Sequence, residues 1–139
     1  MHKNGLTTKL SESHHTNLIV FNTGRGLHMI LQNLGGDTSH PLPITSAAIG
    51  TGQTLPDIAD TDLEEPVLTD IPISTLLVNE FDIDIEWFIT DDELSPDTYY
   101  EFGVYCSTRL FARSNIDPSY MKASGEDTLV AYKIAAAST

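Results

Sequence analysis

Residues Glu80–Ile89 read EFDIDIEWFI. Phe81, Ile83, Ile85 and Trp87 alternate with Asp82, Asp84, Glu86 and Phe88. Period two sends these sets to opposite faces of a β-strand. One face is apolar and the other is mostly carboxylate, so the strand belongs to an antiparallel sheet with one wet side. Eight residues separate it from TYYEFGVYCS at Thr98–Ser107, which repeats the pattern, with Tyr100, Phe102, Val104 and Cys106 on one face. The turn between them, DDELSPD, contains Pro96.

Other strands follow outward from this pair. LIVF at Leu18–Phe21 is a short buried run, Ile44–Ile49 a second, and Val67–Ile73 an apolar segment broken by Pro72, as an edge strand or a bend would be. Ser74–Val78 continues it. Leu110–Arg113 is short, Asn115–Glu126 reads mostly as loop, and TLVAYKIA at Thr128–Ala135 closes the series. One helix is expected at Gly24–Leu34. Asn22 and Thr23 offer caps, Leu27, Ile30, Leu31 and Leu34 share a face, and Gly35–Gly36 supplies the stop. The expected fold is mainly β: an antiparallel, jelly-roll-like β-sandwich with one short helix. Residues 1–16 are polar and aperiodic and read as an extended N-terminal arm, with residues 17–139 as a single domain.

The chain has 139 residues and a net charge of −13. Fifteen of its twenty acidic residues lie between Asp57 and Glu101, and no Lys or Arg lies between Arg25 and Arg109. That balance argues against nucleic acid and anionic membranes as partners. It favours a solvated acidic face or contact with a basic partner. No apolar run is long enough for a membrane span, and the N-terminus lacks the apolar centre of a secretory signal. A single cysteine, Cys106, allows no intrachain disulfide and suits a reducing cytoplasm.

No catalytic set emerges. Gly50 and Gly52 in AAIGTGQTLPDIADTDLEEPV (Ala47–Val67) lack the lysine of a phosphate loop, and Leu55 stands where a dinucleotide fingerprint needs a third glycine. These glycines are read as serving backbone angles at a strand end. NTGRG at Asn22–Gly26 could hold an anion at a helix start, but Asn22 and Thr23 are expected to cap that end themselves. Asp82, Asp84 and Glu86 are nearly 7 Å apart in succession on a strand, too spread for calcium. Asp91, Asp92, Glu93 and Asp97 in the next turn are the better calcium candidates, and no metal site is assigned. The carboxylates lack the contrasting environments of a glycosidase pair. The histidines show no zinc spacing. Cys106 falls on an apolar face and reads as a buried thiol, and Trp87 as a core residue. Tyr99 and Tyr105 fall opposite the core set and are interface candidates. So are His14 and His15, on an arm that could order against a neighbour.

Three segments carry a family resemblance: LIVFNTGRGLHMILQNLGG (Leu18–Gly36), PITSAAIGTGQTLPDIADTDLEEPV (Pro43–Val67), and YYEFGVYC with RLFAR and DTLVAYKIA (Tyr99–Ala135). In their order the chain resembles small virion proteins of tailed bacteriophages over Leu18–Ala135. It departs from them in its acidic middle strands and in EFGVY, where a glycine-containing E-x-G-L-F is usual. The resemblance implies a non-enzymatic structural protein without cofactor, in the virion and made in the host cytoplasm. It implies decoration or cement on the shell, with the major capsid protein as partner and a homotrimer as the assembly. A tail adaptor or fibre-attachment protein is the alternative within the particle. From another class, a calcium- or carbohydrate-binding β-sandwich module would use Tyr99, Tyr105 and the acidic region Asp82–Asp97.

Overall fold

The computed structural model describes residues 7–9 and 17–135. Its strands are β1 (Thr7–Lys9), β2 (Asn17–Ile19), β3 (Phe21–Asn22), β4 (Arg25–Gly26), β5 (Ser46–Gly50), β6 (Pro66–Pro72), β7 (Thr75–Val78), β8 (Asp82–Ile89), β9 (Asp97–Cys106), β10 (Arg109–Lys122) and β11 (Thr128–Ala135), with one α-helix, α1 (Leu27–Leu34). Two large sheets form, β1-β11-β8-β7 and β2-β10-β9-β5-β6, beside a small two-stranded β3-β4 sheet. Every pairing is antiparallel except β1 with β11. The hairpins β5–β6, β7–β8 and β9–β10 each stay within one sheet, and the chain crosses to the other sheet after β6, β8 and β10. The fold is a mainly antiparallel β-sandwich with one short helix.

The core forms where the inward rows of β8, β9 and β11 meet. Ile85, Trp87 and Ile89 of β8 are buried, as are Phe102, Val104 and Cys106 of β9 and Val130 and Tyr132 of β11. Trp87 meets Phe102 edge-on across the two sheets, with ring centroids 5.2 Å apart, and Tyr132 at 6.2 Å. Such pairs add about 0.5–1.5 kcal/mol beyond the area they bury. The pleat places Asp82, Asp84 and Glu86 on the outer face of β8, as the alternation requires.

Local geometry corrects four sequence expectations. The helix starts at Leu27, because Gly24 and Gly26 adopt positive φ (67° and 55°) and turn the chain into the β3–β4 hairpin first. Asn22 serves that hairpin, accepting from the Thr23 amide and donating to the Ala59 carbonyl, so it does not cap the helix. A Cβ on Gly26 would stand 1.8 Å from the Val20 carbonyl oxygen. The helix packs through Met29, and Leu27, Leu31 and Leu34 are exposed. Phe81 lies outside β8, in the turn bridged by Asn79 and Asp82, and is exposed. Asn115–Lys122 is strand, not loop. Pairing with β9 carries β10 through it, and an irregularity between Asn115 and Tyr120 holds Pro118 away from the ladder, where its missing N–H costs nothing. Val67–Val78 is divided between the sheets: β6 is an edge strand ending at Pro72, and β7 belongs to the other layer.

Within the arm, Thr7–Lys9 lies along β11 as strand β1. His14 and His15 lie outside the described residues.

Trp87 is wholly buried and bridges the sheets. Trp87→Ala is expected to cost about 3–5 kcal/mol, the range for a large core aromatic. Urea unfolding checks this, and a loss below about 1 kcal/mol would contradict the packing.

Candidate functional site: a buried carboxylate corner and an open apolar edge

The long connection after β5 is fixed by one buried carboxylate. Glu101, on β9, is fully buried. Its oxygens accept from the amides of Gly52 (2.9 Å), Glu64 (2.9 Å) and Glu65 (2.7 Å). They also accept from Arg113 Nε (3.0 Å) and Nη2 (2.8 Å). Arg113, on β10, donates further to the Thr54 carbonyl (2.9 Å) and to Asp60 (3.1 Å). Both ends of the connection are thereby tied to the same two strands. The glycines permit this approach. A Cβ on Gly50 would stand 2.3 Å from the Glu65 carbonyl oxygen, and one on Gly52 2.6 Å from Glu101 Oε2. The IGTG segment is a structural corner, and its carboxylate and guanidinium are committed to internal donors and acceptors.

Tyr105 joins this corner from the same strand. Its hydroxyl donates to Asp62 in a short hydrogen bond, and burial together with the Asp62 carboxylate raises its pKa far above the usual phenol range. Tyr105 is half-buried and lines a polar cavity of about 160 Å³ with Asp62 and Asp70. Tyr99 differs from expectation. It is wholly buried, and its hydroxyl donates to the Ser95 carbonyl at 2.6 Å. The irregular β9–β10 pairing below Glu101 breaks the period-two rule, so Tyr99 and Phe102 both reach the core. Tyr99 therefore presents no outer surface.

The acidic turn is also internally bonded. Asp91 accepts from Lys122 Nζ (2.7 Å) and the Gly125 amide (2.8 Å). Glu93 accepts from the Thr90 amide and hydroxyl, and Asp92 from the same hydroxyl. Among the described residues no three His, Cys, Asp or Glu side chains come together in a metal-holding group. Cys106 is buried beside the Leu42 carbonyl, and burial pushes its thiol up to about 12. Reactivity needs the thiolate, so this sulfur is chemically quiet.

What remains available is an apolar edge. All four residues of β7 are exposed, with Leu77 at 61% and Val78 at 67%. The inner face of β7 opens into a groove of about 450 Å³, where Leu76, Val78, Ile83 and Ile134 of one sheet face Leu42 and Phe111. No sequence rule singled out β7, because TLLV looks like any buried strand. The Glu101–Arg113 pair carried no such signal either. A two-residue hairpin at Ser107–Thr108 alone would set Glu101 opposite Ser114 and Arg113 on the other face. The irregularity between Leu110 and Ala112 shifts β10 by one residue and brings Arg113 diagonally across from Glu101.

Comparison with protein-family models, with curated proteins and with solved structures returns no match.

Two predictions test the polar ties. Glu101→Gln leaves the buried guanidinium with only the partly exposed Asp60 carboxylate as its charge partner and is expected to destabilise by about 3 kcal/mol, the lower end for a broken buried pair. Gly52→Ala, which overpacks the same corner, should cost about 1–3 kcal/mol in denaturant unfolding. Neutral effects would show that the loop is not held this way.

A further prediction concerns pH. The Lys122 ammonium, with the Gly125 amide, holds the Asp91 carboxyl below its ordinary pKa. A folded-state pKa below the unfolded one gives stability that is present above the unfolded pKa and lost as pH falls through the folded one. Asp91→Asn should therefore be less stable than the parent at pH 7, with the gap closing below about pH 4, the ordinary carboxylate range. Urea midpoints at several pH values check this, and a gap that does not narrow as pH falls below the ordinary carboxylate range would contradict it.

Proposed function

We propose that this chain is a non-enzymatic structural protein of a tailed-bacteriophage particle, seated on the assembled shell as a decoration or cement subunit. The observation that carries the binding part of this reading is the β7 edge. It is an exposed, uncharged strand beside an apolar groove, in a domain whose buried ionic groups are engaged in holding its own loops. Contiguous exposed apolar surface of this kind marks an interaction site. The virion part rests on the sequence resemblance over Leu18–Ala135.

In this reading the major capsid protein is the partner, and the subunits form a homotrimer in which closed cyclic symmetry satisfies every interface. Binding to neighbouring shell subunits stabilises the assembled state by mass action, since the free subunits lack the composite surface. The excess of carboxylates keeps the outward faces soluble at high local concentration.

Quantitative mass spectrometry of purified particles tests the proposal. The expected copy number is comparable with that of the major shell protein. A count as low as that of tail components would replace the shell role with a tail adaptor or fibre-attachment role. Absence from the particle would overturn both.

A further inference from the structure

Strand β7 forms backbone pairs with β8 only, and its other side has no backbone partner among the described residues. Unpaired strand edges recruit other strands unless they are blocked, and natural edges are blunted with prolines, charges or bulges. The β6 edge of the other sheet is treated in that way. Pro66 and Pro72 bracket it, Asp70 sits at positive φ (57°), and its pairing with β5 is irregular. The sequence of β7, TLLV, carries none of these devices.

The two sides of this edge differ in chemistry. Leu76 and Val78 pair with Ile85 and Ile83 on the core-facing side and open into the groove. Thr75 and Leu77 pair with Glu86 and Asp84 on the outer side. There Asp82, Asp84 and Glu86 form a row, with Glu80 in the adjoining turn. The ammonium of Lys133 lies 3.4 Å from Asp82 and 3.7 Å from Asp84.

We propose that β7 is a docking edge for an extended segment of a partner protein, in which aliphatic residues alternate with lysine or arginine. A strand added beside β7 repeats its pleat, so alternate side chains enter the groove and the rest stand on the outer face. Aliphatic groups fill the first set of positions. The second set stands about two strand spacings, roughly 10 Å, from the β8 carboxylates, within reach of a long basic side chain. A small apolar ligand would fill the groove but leave the backbone edge unpaired. A second copy of this chain, joined β7 to β7, would bring two acidic rows together at a net charge of −13 each. The inference rests on reading this face as a binding surface. Its test uses the purified chain alone, so its failure and a failed particle count are separate results.

The probe is a fluorescein-labelled heptapeptide of alternating lysine and isoleucine, titrated into the full chain at low salt and read by anisotropy. Two controls have the same length: one carries the same residues in blocks, and the other has glutamate in place of lysine. Saturable binding of the alternating lysine peptide is expected, with affinity falling on added salt. Val78→Asp, at an exposed position, is expected to weaken it by at least about tenfold with an unchanged melting temperature, and Asp84→Asn with Glu86→Gln by several-fold. Equal binding of either control, or no binding, overturns the proposal. So does tighter binding of a peptide with the sequence of residues 1–16, which would give the edge to the chain's own arm. Sedimentation as a dimer that Val78→Asp converts to monomer also overturns it, because the edge then belongs to a second copy.

Discussion

The desolvation of Glu101 is the constraint from which much of this architecture follows. A carboxylate taken fully out of water costs several kcal/mol unless its oxygens are fully paired. Here three backbone amides and one guanidinium do that pairing. The amides come from the two ends of a long connection, and the guanidinium from the neighbouring strand. A connection of about fifteen residues without secondary structure is uncommon in a compact domain and needs a reason to hold one shape. The buried carboxylate is that reason. It also dictates glycine at positions 50 and 52, since the chain passes too close to Glu101 and Glu65 for any Cβ.

The same logic recurs more weakly at the opposite end of β9 and β10. Lys122 is buried to its tip, and Asp91 on the outside receives it together with the Gly125 amide. Asp91 stays 43% exposed, so water screens this tie more than the Glu101 pair. Of the two buried cations of β10, Arg113 holds the connection between β5 and β6, and Lys122 holds Asp91 in the turn between β8 and β9. A domain with few basic residues has thus placed two of them inside, which leaves its surface more acidic than its composition alone implies.

Legibility from sequence followed the strength of the periodic signal. Glu80–Ile89 announced its strand, its buried face and Trp87 because alternation persisted over most of its length. Cys106 was placed correctly for the same reason. Tyr99 was misplaced because period two holds only while the ladder is regular, and the β9–β10 pairing slips beside it. The helix face is covered only in part, because 3.6-residue spacing shows which side chains lie together, not whether anything covers them. Ile30 packs against the core. Met29 packs, and Leu31 and Leu34 do not. The IGTG corner was read as structural, but its cause, Glu101, sits about fifty residues away in sequence and became visible only in three dimensions.

This contrast bears on how the molecule meets others. Its ionic groups of highest desolvation cost are turned inward and satisfied, so charge chemistry at those sites is closed to a ligand. Its apolar groups are not all turned inward: β7 keeps Leu76, Leu77 and Val78 exposed beside a groove continuous with the core side of the sheet. Exposed aliphatic surface next to unpaired backbone is costly for a free subunit, because it promotes indiscriminate strand pairing. The acidic row on β8 offsets that hazard. It repels identical neighbours of the same charge while leaving the edge open to a strand of opposite charge. Selectivity at this edge therefore comes from the face of the sheet that does not pack, and the strict alternation of Glu80–Ile89 shapes both the core and the surface that chooses a partner.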